Sequence, residues 1–390
     1  MSGMNAGSGA AGAGTPAVPG SAQRVDAWRV PCRGPGDLSA VQALIDQGAL
    51  VAGDIIAVMG KTEGNGCVND HTRDFASSSW CHFLAPHLGC SPTEVEQRVA
   101  LVMSGGTEGV LSPHFTVFTR RRLAQPATHP DKRLVIGVAQ TRDFLPEEIG
   151  RTAQIDATAQ AVHAAMRDAG IDHADDVHFV QIKCPLLTSA KLDEAHARGA
   201  STATRDTYES MGYSRGASAL GIALALGEVD PTRLTDAAVL SDWTLCSARA
   251  SASAGIELDR NIVIVLGEAA GSDSPLRIAH TVMRDALDAA SLRRLLREAF
   301  DLDPERDEAT ISRRLLNLLA KAEASPDGRV RGERHTMLND SDINATRHAR
   351  AVVGGVLGSV VGASALYVSG GAEHQGPPGG GPVAVLLRTE

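Results

Sequence analysis

The sequence predicts an α/β protein built from three pseudo-threefold-related repeats, each a sheet covered by helices, which form a barrel-like assembly around one central site. The pattern Ser-small-Gly-x-Glu occurs three times, starting at Ser104, Ser253 and Ser369. Short β-branched runs alternate with segments of helical periodicity, as expected for sheets covered by helices. Each serine also follows a lysine that ends an apolar run and an arginine in a helix-like stretch, in the order Lys61 and Arg73, Lys183 and Arg215, Lys321 and Arg350.

Composition narrows the class of protein. The chain has 390 residues, of which 43% are hydrophobic and 3% aromatic, and a net charge of −9. The acidic balance argues against nucleic acid as a partner, and no apolar run reaches the length of a membrane span, so we expect no membrane partner and a cytoplasmic protein. The six cysteines show no metal-ligand spacing. Residues 1–24 are rich in Gly, Ala, Ser and Pro, which predicts a disordered tail.

The first repeat is predicted to span 25–124. An amphipathic segment and apolar runs alternate here. One apolar run ends at Lys61, and another ends just before Ser104. Arg73 is predicted to begin a helix, and a strand is expected after the serine. The predicted elements are strand 25–31, helix 38–48, the strand ending at Lys61, helix 73–85, strand 98–103 and strand 114–118.

The second and third repeats, 133–270 and 276–390, follow the same plan. In the second, Arg215 is predicted to open a helix that precedes Ser253. In the third, the run LLNLLAK, which ends at Lys321, fits both a strand and a helix, and only its place in the repeat favours a strand. The other predicted elements are strands 133–140 and 177–183, helix 157–170, strand 277–283 and helix 284–299.

The repeated residues carry a chemical hypothesis. A serine hydroxyl needs a neighbouring base to act as a nucleophile, and a lysine can serve if burial and other cations lower its pKa. Three lysines and three arginines around one site would also hold an oxygen-rich, acidic ligand. The alternative is that the Ser-Gly segments are tight turns and the cations surface charges. Cys184, beside Lys183, is either a reactive thiol or a buried, inert one.

Long segments of the chain resemble one family, the ring-opening amidohydrolases, which comprise cyanuric acid hydrolases and barbiturases. The resemblance covers nearly the whole chain after the tail, and it implies a fold of three similar repeats around one site. The segments that carry it include VMGKTEGNGCVNDHTR (58–73), VMSGGTEGVLSPH (102–114), VQIKCPLLT (180–188), ESMGYSRGASALGIALA (209–225), ASASAGIEL (250–258), TMLNDSDINATRHARAVVGG (336–355) and YVSGGAEHQGPPGGGP (367–382).

The resemblance implies a role for each repeated residue. Lys183 would be the general base and Ser253 the nucleophile that forms an acyl-enzyme. The implied substrate-binding residues are Arg73, Ser104, Gly105, Arg215, Ser253, Ala254, Arg350, Ser369, Gly370, Lys61 and Lys321. Arg347 competes with Arg350 as the third arginine, because its local sequence matches Arg73 and Arg215 better; the family pattern favours Arg350.

The resemblance further implies a structural divalent cation, Mg²⁺ or Ca²⁺, and no organic cofactor. Such hard cations prefer oxygen ligands, including backbone carbonyls. The alternative for Glu323 is a salt bridge to Lys321. The implied ligands are the Glu323 carboxylate and oxygens of Ala372, Gln375, Gly376, Pro377 and Gly380.

Within the family, the segments SGGAEHQGP, KCPLLT and GYSRGASALG resemble the cyanuric acid branch. The expected activity is therefore hydrolytic ring opening of cyanuric acid to 1-carboxybiuret, which loses carbon dioxide to give biuret. A barbiturase that opens barbituric acid to ureidomalonate is the alternative within the family, and a non-catalytic binder of small anions is the alternative outside it. Members of the family also tend to be homotetramers.

Overall fold

The computed structural model describes residues 21–389. Most of the predicted disordered tail therefore lies outside the described residues, and Gln23 and Arg24, assigned to that tail, belong to the first strand. The described residues form three four-stranded sheets and one short two-stranded sheet. None of their helices is long and apolar enough to cross a membrane.

The first sheet lies in the first unit, residues 23–122. Its second strand is buried along its whole length, because its apolar side chains face helices on one side and the other sheets on the other. The elements are β1 (Gln23–Pro31), α1 (Ser39–Asp46), β2 (Ile55–Thr62), α2 (His71–Leu88), α3 (Pro92–Arg98), β3 (Ala100–Gly105) and β4 (His114–Arg122).

The second unit, residues 133–269, repeats this order with longer helices. The prediction that Arg215 opens its helix is wrong: the helix begins at Thr207, because the Asp206 side chain caps it by accepting from the Glu209 N–H. The elements are β5 (Arg133–Gln140), α4 (Thr152–Ala169), β6 (Val177–Cys184), α5 (Ser189–Ala197), α6 (Thr207–Ala225), β7 (Ala250–Ala254) and β8 (Ile262–Ala269).

The third unit, residues 276–388, contains the ambiguous LLNLLAK run, and the structure confirms it as a strand. The elements are β9 (Leu276–Met283), α7 (Ala289–Phe300), α8 (Glu308–Arg314), β10 (Leu315–Ala322), β11 (Arg329–Val330), β12 (Glu333–Arg334), α9 (Ala345–Val361), β13 (Tyr367–Gly370) and β14 (Gly381–Arg388).

The three large sheets have one topology. Their strand orders are β1-β4-β2-β3, β5-β8-β6-β7 and β9-β14-β10-β13, and in each the last two strands are parallel. This parallel pair aligns the repeated lysine with the repeated serine: Lys61 with Ser104, Lys183 with Ser253, and Lys321 with Ser369. The identical register confirms the threefold repeat of the fold.

The apolar side chains of the described residues form four large buried clusters. One cluster in each unit lies between the sheet and its helices. The fourth contains side chains from all three sheets, including Phe118, Phe179 and Tyr367. The described strands thus form three separate sheets around a shared core, and not one closed sheet. The sequence boundaries proposed for the units remain predictions.

Candidate active site

The three repeated serines meet at one point, although they are far apart in sequence. Ser104 Oγ donates a hydrogen bond to Ser369 Oγ at 3.2 Å, and the hydroxyls of Ser253 and Ser369 lie 3.0 Å apart. All three side chains are buried. They line a space of about 20 Å³ together with Gly66, Arg73, Gly105, Met211, Arg215, Ala254, Arg350 and Gly370.

The repeated lysines lie beside the serines and are also buried. Lys61 Nζ donates to Ser104 Oγ and Gly105 O, both at 3.3 Å. Lys321 Nζ donates in the same way to Ser369 Oγ at 3.3 Å and Gly370 O at 3.0 Å. Burial lowers the pKa of all three ammonium groups, to about 8 for Lys183, to about 7 for Lys321, and well below the usual value for Lys61.

Lys183 breaks the pattern of the other two lysines. Its Nζ donates to Met103 O, in the first unit, at 2.8 Å, as Lys321 Nζ does to Ala252 O in the second unit, but it also lies 3.2 Å from Glu257 Oε1. Among the described residues, these are the polar contacts of Nζ, and none joins it to the hydroxyl of Ser253, its neighbour in the strand register. Lys183 is therefore the repeated lysine with a carboxylate partner.

The repeated arginines reach the site from α2, α6 and α9, and two of them form ion pairs between units. Arg350 Nε donates to Glu108 Oε2 at 2.7 Å, and Arg215 donates to Glu373 through Nε at 2.7 Å and Nη2 at 2.6 Å. Each glutamate is the last residue of a Ser-small-Gly-x-Glu pattern. The pattern thus supplies both a serine for the site and a carboxylate that fixes an arginine from another unit.

Arg73 completes the ring of cations in a different way. Its Nη1 donates to Ala254 O at 3.3 Å and its Nη2 to Cys67 O at 2.8 Å, whereas its buried Nε has no hydrogen-bond partner among the described residues. In the other two pairs the arginine of one unit binds the glutamate of the next unit, so the equivalent partner of Arg73 would be Glu257 of the second unit. That carboxylate instead lies on Lys183.

The structure also separates the two candidates for the third arginine. The Arg350 side chain is 3% exposed and lines the space between the serines, whereas the Arg347 side chain is 39% exposed, lines only an adjoining space and lies 3.4 Å from Glu108. This placement favours Arg350. Cys184 is buried and donates its thiol to Ser253 O at 3.5 Å, and burial raises its pKa, which favours the inert thiol.

The residues proposed to hold a cation gather where the loop before β14 meets the end of β10. Glu323 Oε2 accepts from the Ala372 N–H at 2.6 Å, and Lys321 makes no ion pair with Glu323 in the described part of the chain. Burial and the neighbouring Glu373 carboxylate raise the pKa of Glu323. A buried carboxyl next to a second carboxylate fits a cation, although Arg215 and Lys321 offset part of this negative charge. The site would rely on backbone oxygens, since residues 21–389 contain no group of three His, Cys, Asp or Glu side chains able to hold a metal.

The sequence interpretation left three site residues without a role. They are the glutamates that end the Ser-small-Gly-x-Glu pattern, here called the signature: Glu108, Glu257 and Glu373. Their signal was the fifth position of the repeated pattern. Their partners could not be read from sequence, because two of the three lie in another unit.

Comparisons with known proteins agree with this geometry. The family model of the ring-opening amidohydrolases, described as "Amidohydrolase ring-opening protein", matches residues 26–388. The chain therefore belongs to this family of hydrolases that act on C–N bonds of cyclic amides, which confirms the resemblance found in the sequence.

Individual relatives match over nearly their whole length. A cyanuric acid amidohydrolase from Pseudomonas sp. strain ADP is 60% identical over 365 residues, which cover 93% of this chain and 99% of the relative. The enzyme of the same name from Enterobacter cloacae is 54% identical over 364 residues, 93% of this chain and 98% of the relative.

Two solved structures are similar in fold. One, a cyanuric acid hydrolase described as an innovation by structural concatenation, has 60% identity and a TM-score of 0.90 over 94% of this chain and 99% of its own. The other, a cyanuric acid hydrolase from A. caulinodans, has 50% identity and a TM-score of 0.85 over the same shares.

Proposed function

We propose that this protein hydrolyses cyanuric acid to 1-carboxybiuret, which loses carbon dioxide to give biuret. The observation that carries the proposal is the cluster of three serine hydroxyls from three equivalent units, surrounded by three arginines. Cyanuric acid is itself a threefold-symmetric ring that carries three oxygens, so each unit can bind one side. The relatives named as cyanuric acid amidohydrolases support the same substrate.

In the proposed mechanism, Ser253 attacks one ring carbonyl while neutral Lys183 takes the serine proton. Lys183 then returns this proton to the ring nitrogen as the C–N bond breaks, which leaves an acyl-enzyme on Ser253. Water, deprotonated by the same lysine, releases the product and restores the serine. Two features support Lys183 as the base: its strand register beside Ser253, and a pKa of about 8, which burial produces.

The other residues would bind the ring and stabilise charge. Ser104 and Ser369 would bind the two remaining sides, with Gly105, Gly370 and Ala254 forming the walls. Arg73, Arg215 and Arg350 would hold ring oxygens and the developing oxyanion. Lys61 and Lys321 would keep the site cationic. Because Glu108 and Glu373 already fix two arginines, the site loses little side-chain freedom when the ring binds.

The first experiment is to incubate the purified protein with cyanuric acid and, separately, with barbituric acid. Loss of ring absorbance and mass spectrometry of the products give the outcome. Biuret from cyanuric acid alone supports the proposal. Turnover of barbituric acid alone would make the protein a barbiturase, and turnover of neither, with tight binding of a small anion, would favour the non-catalytic binder. Lys183→Ala adds a control, since it should abolish turnover in an enzyme and only weaken binding in a binder.

We also propose that Glu323 and the oxygens of Ala372, Gln375, Gly376, Pro377 and Gly380 hold a structural Mg²⁺ or Ca²⁺. When bound, the cation would order the loop next to Ser369 and neutralise Glu323. The Gln375 side-chain oxygen already accepts from the Ala252 N–H at 2.7 Å, so this residue would contribute its backbone carbonyl. Metal analysis of the purified protein and of Glu323→Gln tests the site: a bound divalent ion that is lost in the variant is expected.

A homotetramer in the cytoplasm completes the proposal. Light scattering of the purified protein measures its oligomeric state directly.

A further inference from the structure

Lys183 lies between two separate spaces. On one side is the space between the serines, to which its register neighbour Ser253 belongs. On the other side is a solvent-open cleft of about 270 Å³ between the first and second units, and Lys183 is part of its wall. The two spaces share no lining residue. A ring bound between the serines would therefore not fill the cleft on the other side of Lys183.

Glu257 lies at the junction of Lys183 and the cleft. Its Oε1 is 3.2 Å from Lys183 Nζ, and its side chain is 13% exposed. Its other oxygen, Oε2, is buried and has no hydrogen-bond partner among the described residues. Because Glu257 lines the cleft, a small rotation of its side chain would bring this oxygen to cleft water, which is its natural partner. The carboxylate can thus contact the ammonium group and cleft water at the same time.

The glycine of the signature shows how the second unit differs from the others. A Cβ on Gly106 or Gly371 would lie 2.4 or 2.5 Å from the guanidinium of Arg350 or Arg215, so these glycines make room for an arginine. A Cβ on Gly255 would lie 2.4 Å from Glu257 Oε2. In the second unit the glycine therefore makes room for the glutamate of its own signature, which folds back onto Lys183.

The Glu257 carboxylate and the other charges around Lys183 affect how readily this lysine loses its proton. Burial lowers the pKa of Lys183 most. The charge of Glu257 and its hydrogen bond raise this pKa, the charge of Arg73 lowers it, and Cys184 raises it as well. Lys183 and Arg73 hold the pKa of Glu257 below its usual value in spite of burial. The remaining charged residues on the cleft wall are Asp74, Glu96, Asp259 and Arg260. Since the pKa of Lys183 is about 8, most molecules at pH 7 carry the proton on this lysine and must lose it before Lys183 can act as a base.

We propose that Glu257 is a positioning and proton-relay residue of the ring-opening reaction, which holds Lys183 through its carboxylate and, before Ser253 attacks the ring, takes the proton from the Lys183 ammonium and passes it to water in the cleft. An N–H bond of the ammonium breaks and its electron pair stays on Nζ, while an O–H bond forms on the carboxylate. The carboxylic acid then gives the proton to cleft water and solvent buffer, so one proton leaves for each neutral lysine formed. This role rests on the proposed function, in which Lys183 is the base.

The test is the pH dependence of kcat for the wild type and Glu257→Gln, which keeps the size of the side chain. Because the Glu257 charge raises the pKa of Lys183, the acid limb of the profile should move to lower pH by roughly one unit. The plateau kcat should fall by roughly tenfold, because an amide holds the Lys183 amine less firmly than a carboxylate does. Glu108→Gln is the matched control at the same signature position. It frees Arg350 and should raise KM without moving the acid limb.

A second variant separates proton transfer from structure. Glu257→Ala leaves a carboxylate-sized hole that opens into the cleft, so formate should restore its kcat in a saturable way. Sodium chloride at the same ionic strength should not. An acid limb that stays in place in Glu257→Gln, or formate that accelerates Glu257→Ala no more than chloride does, would overturn the proposal.

A measurement without substrate keeps this proposal distinct from the proposed function. The rate of Lys183 acetylation by acetic anhydride at varied pH, followed by peptide mass spectrometry, gives the lysine pKa in both proteins. If the wild type hydrolyses neither ring, the proposed function fails and the relay fails with it. If the wild type is active and the Lys183 pKa is the same in Glu257→Gln, only the role of Glu257 is refuted.

Discussion

Alanine substitution of the three site serines, one at a time, distinguishes the nucleophile from the two binding hydroxyls. Sequence and geometry treat the three almost alike, since their hydroxyls lie 3.0 and 3.2 Å apart and each has a lysine as register neighbour. The proposed mechanism treats them differently. Only Ser253 forms and breaks a covalent bond.

The expected losses differ by orders of magnitude. Ser104→Ala and Ser369→Ala each remove one hydrogen bond to the ring, about 1 kcal/mol if the partner is neutral and up to about 3 kcal/mol if it is charged. These energies correspond to losses of about fivefold to about 150-fold in kcat/KM. Ser253→Ala removes the nucleophile and should reduce kcat by roughly 10⁴-fold or more.

Steady-state hydrolysis of cyanuric acid measures all three variants, and thermal unfolding confirms that each is folded. Rapid acid quenching of the wild type, followed by peptide mass spectrometry, should place the acyl group on the peptide that contains Ser253. A Ser253→Ala protein that retains more activity than Ser104→Ala or Ser369→Ala would refute the assignment. An acyl group on either of the other two serines would refute it as well.

Three further predictions concern the charged groups of the site. The kcat of the wild type should rise about tenfold per pH unit up to a midpoint near pH 8 and then level off, because Lys183 acts only when neutral; a flat profile from pH 6 to 9 would exclude Lys183 as the base. Arg350→Ala should raise KM at least tenfold more than Arg347→Ala, since only Arg350 lines the space between the serines; equal effects in kinetic assays would contradict this placement. Glu108→Ala should lower the free energy of unfolding by about 3 kcal/mol or more, because it leaves Arg350 buried without its partner, and chemical denaturation beside Arg350→Ala and the double variant measures this coupling.

Repetition made much of the fold predictable. The run LLNLLAK fits a helix as well as a strand when considered alone, but its lysine and the later serine have counterparts in the other two units. The shared order of lysine, arginine and serine therefore predicted a strand, and the structure confirms it. Local signals were missed where the repeat was followed too closely. Asp206, a helix cap, marks the start of α6 eight residues before the one that the Arg215 comparison suggested.

The arrangement of charges was beyond the reach of the sequence. Glu108, Glu257 and Glu373 hold the same position in three copies of one pattern, yet two bind arginines of another unit and the third binds a lysine of its own. The choice depends on how the units pack, which no local pattern encodes. For the same reason the cleft beside Lys183 could not be predicted, since its walls come from the first and second units.

Because of the ion pairs between units, the site is complete only when all three units have folded and packed together. Arg350 of the third unit depends on Glu108 of the first, and Arg215 of the second depends on Glu373 of the third. Lys183 of the second unit likewise donates to Met103 O of the first. A chain whose third unit has not docked would leave Arg215 without Glu373, and the site would lack Ser369 and Arg350. Hydrolysis can therefore begin only when the last unit has docked, so catalytic activity reports the integrity of the whole chain.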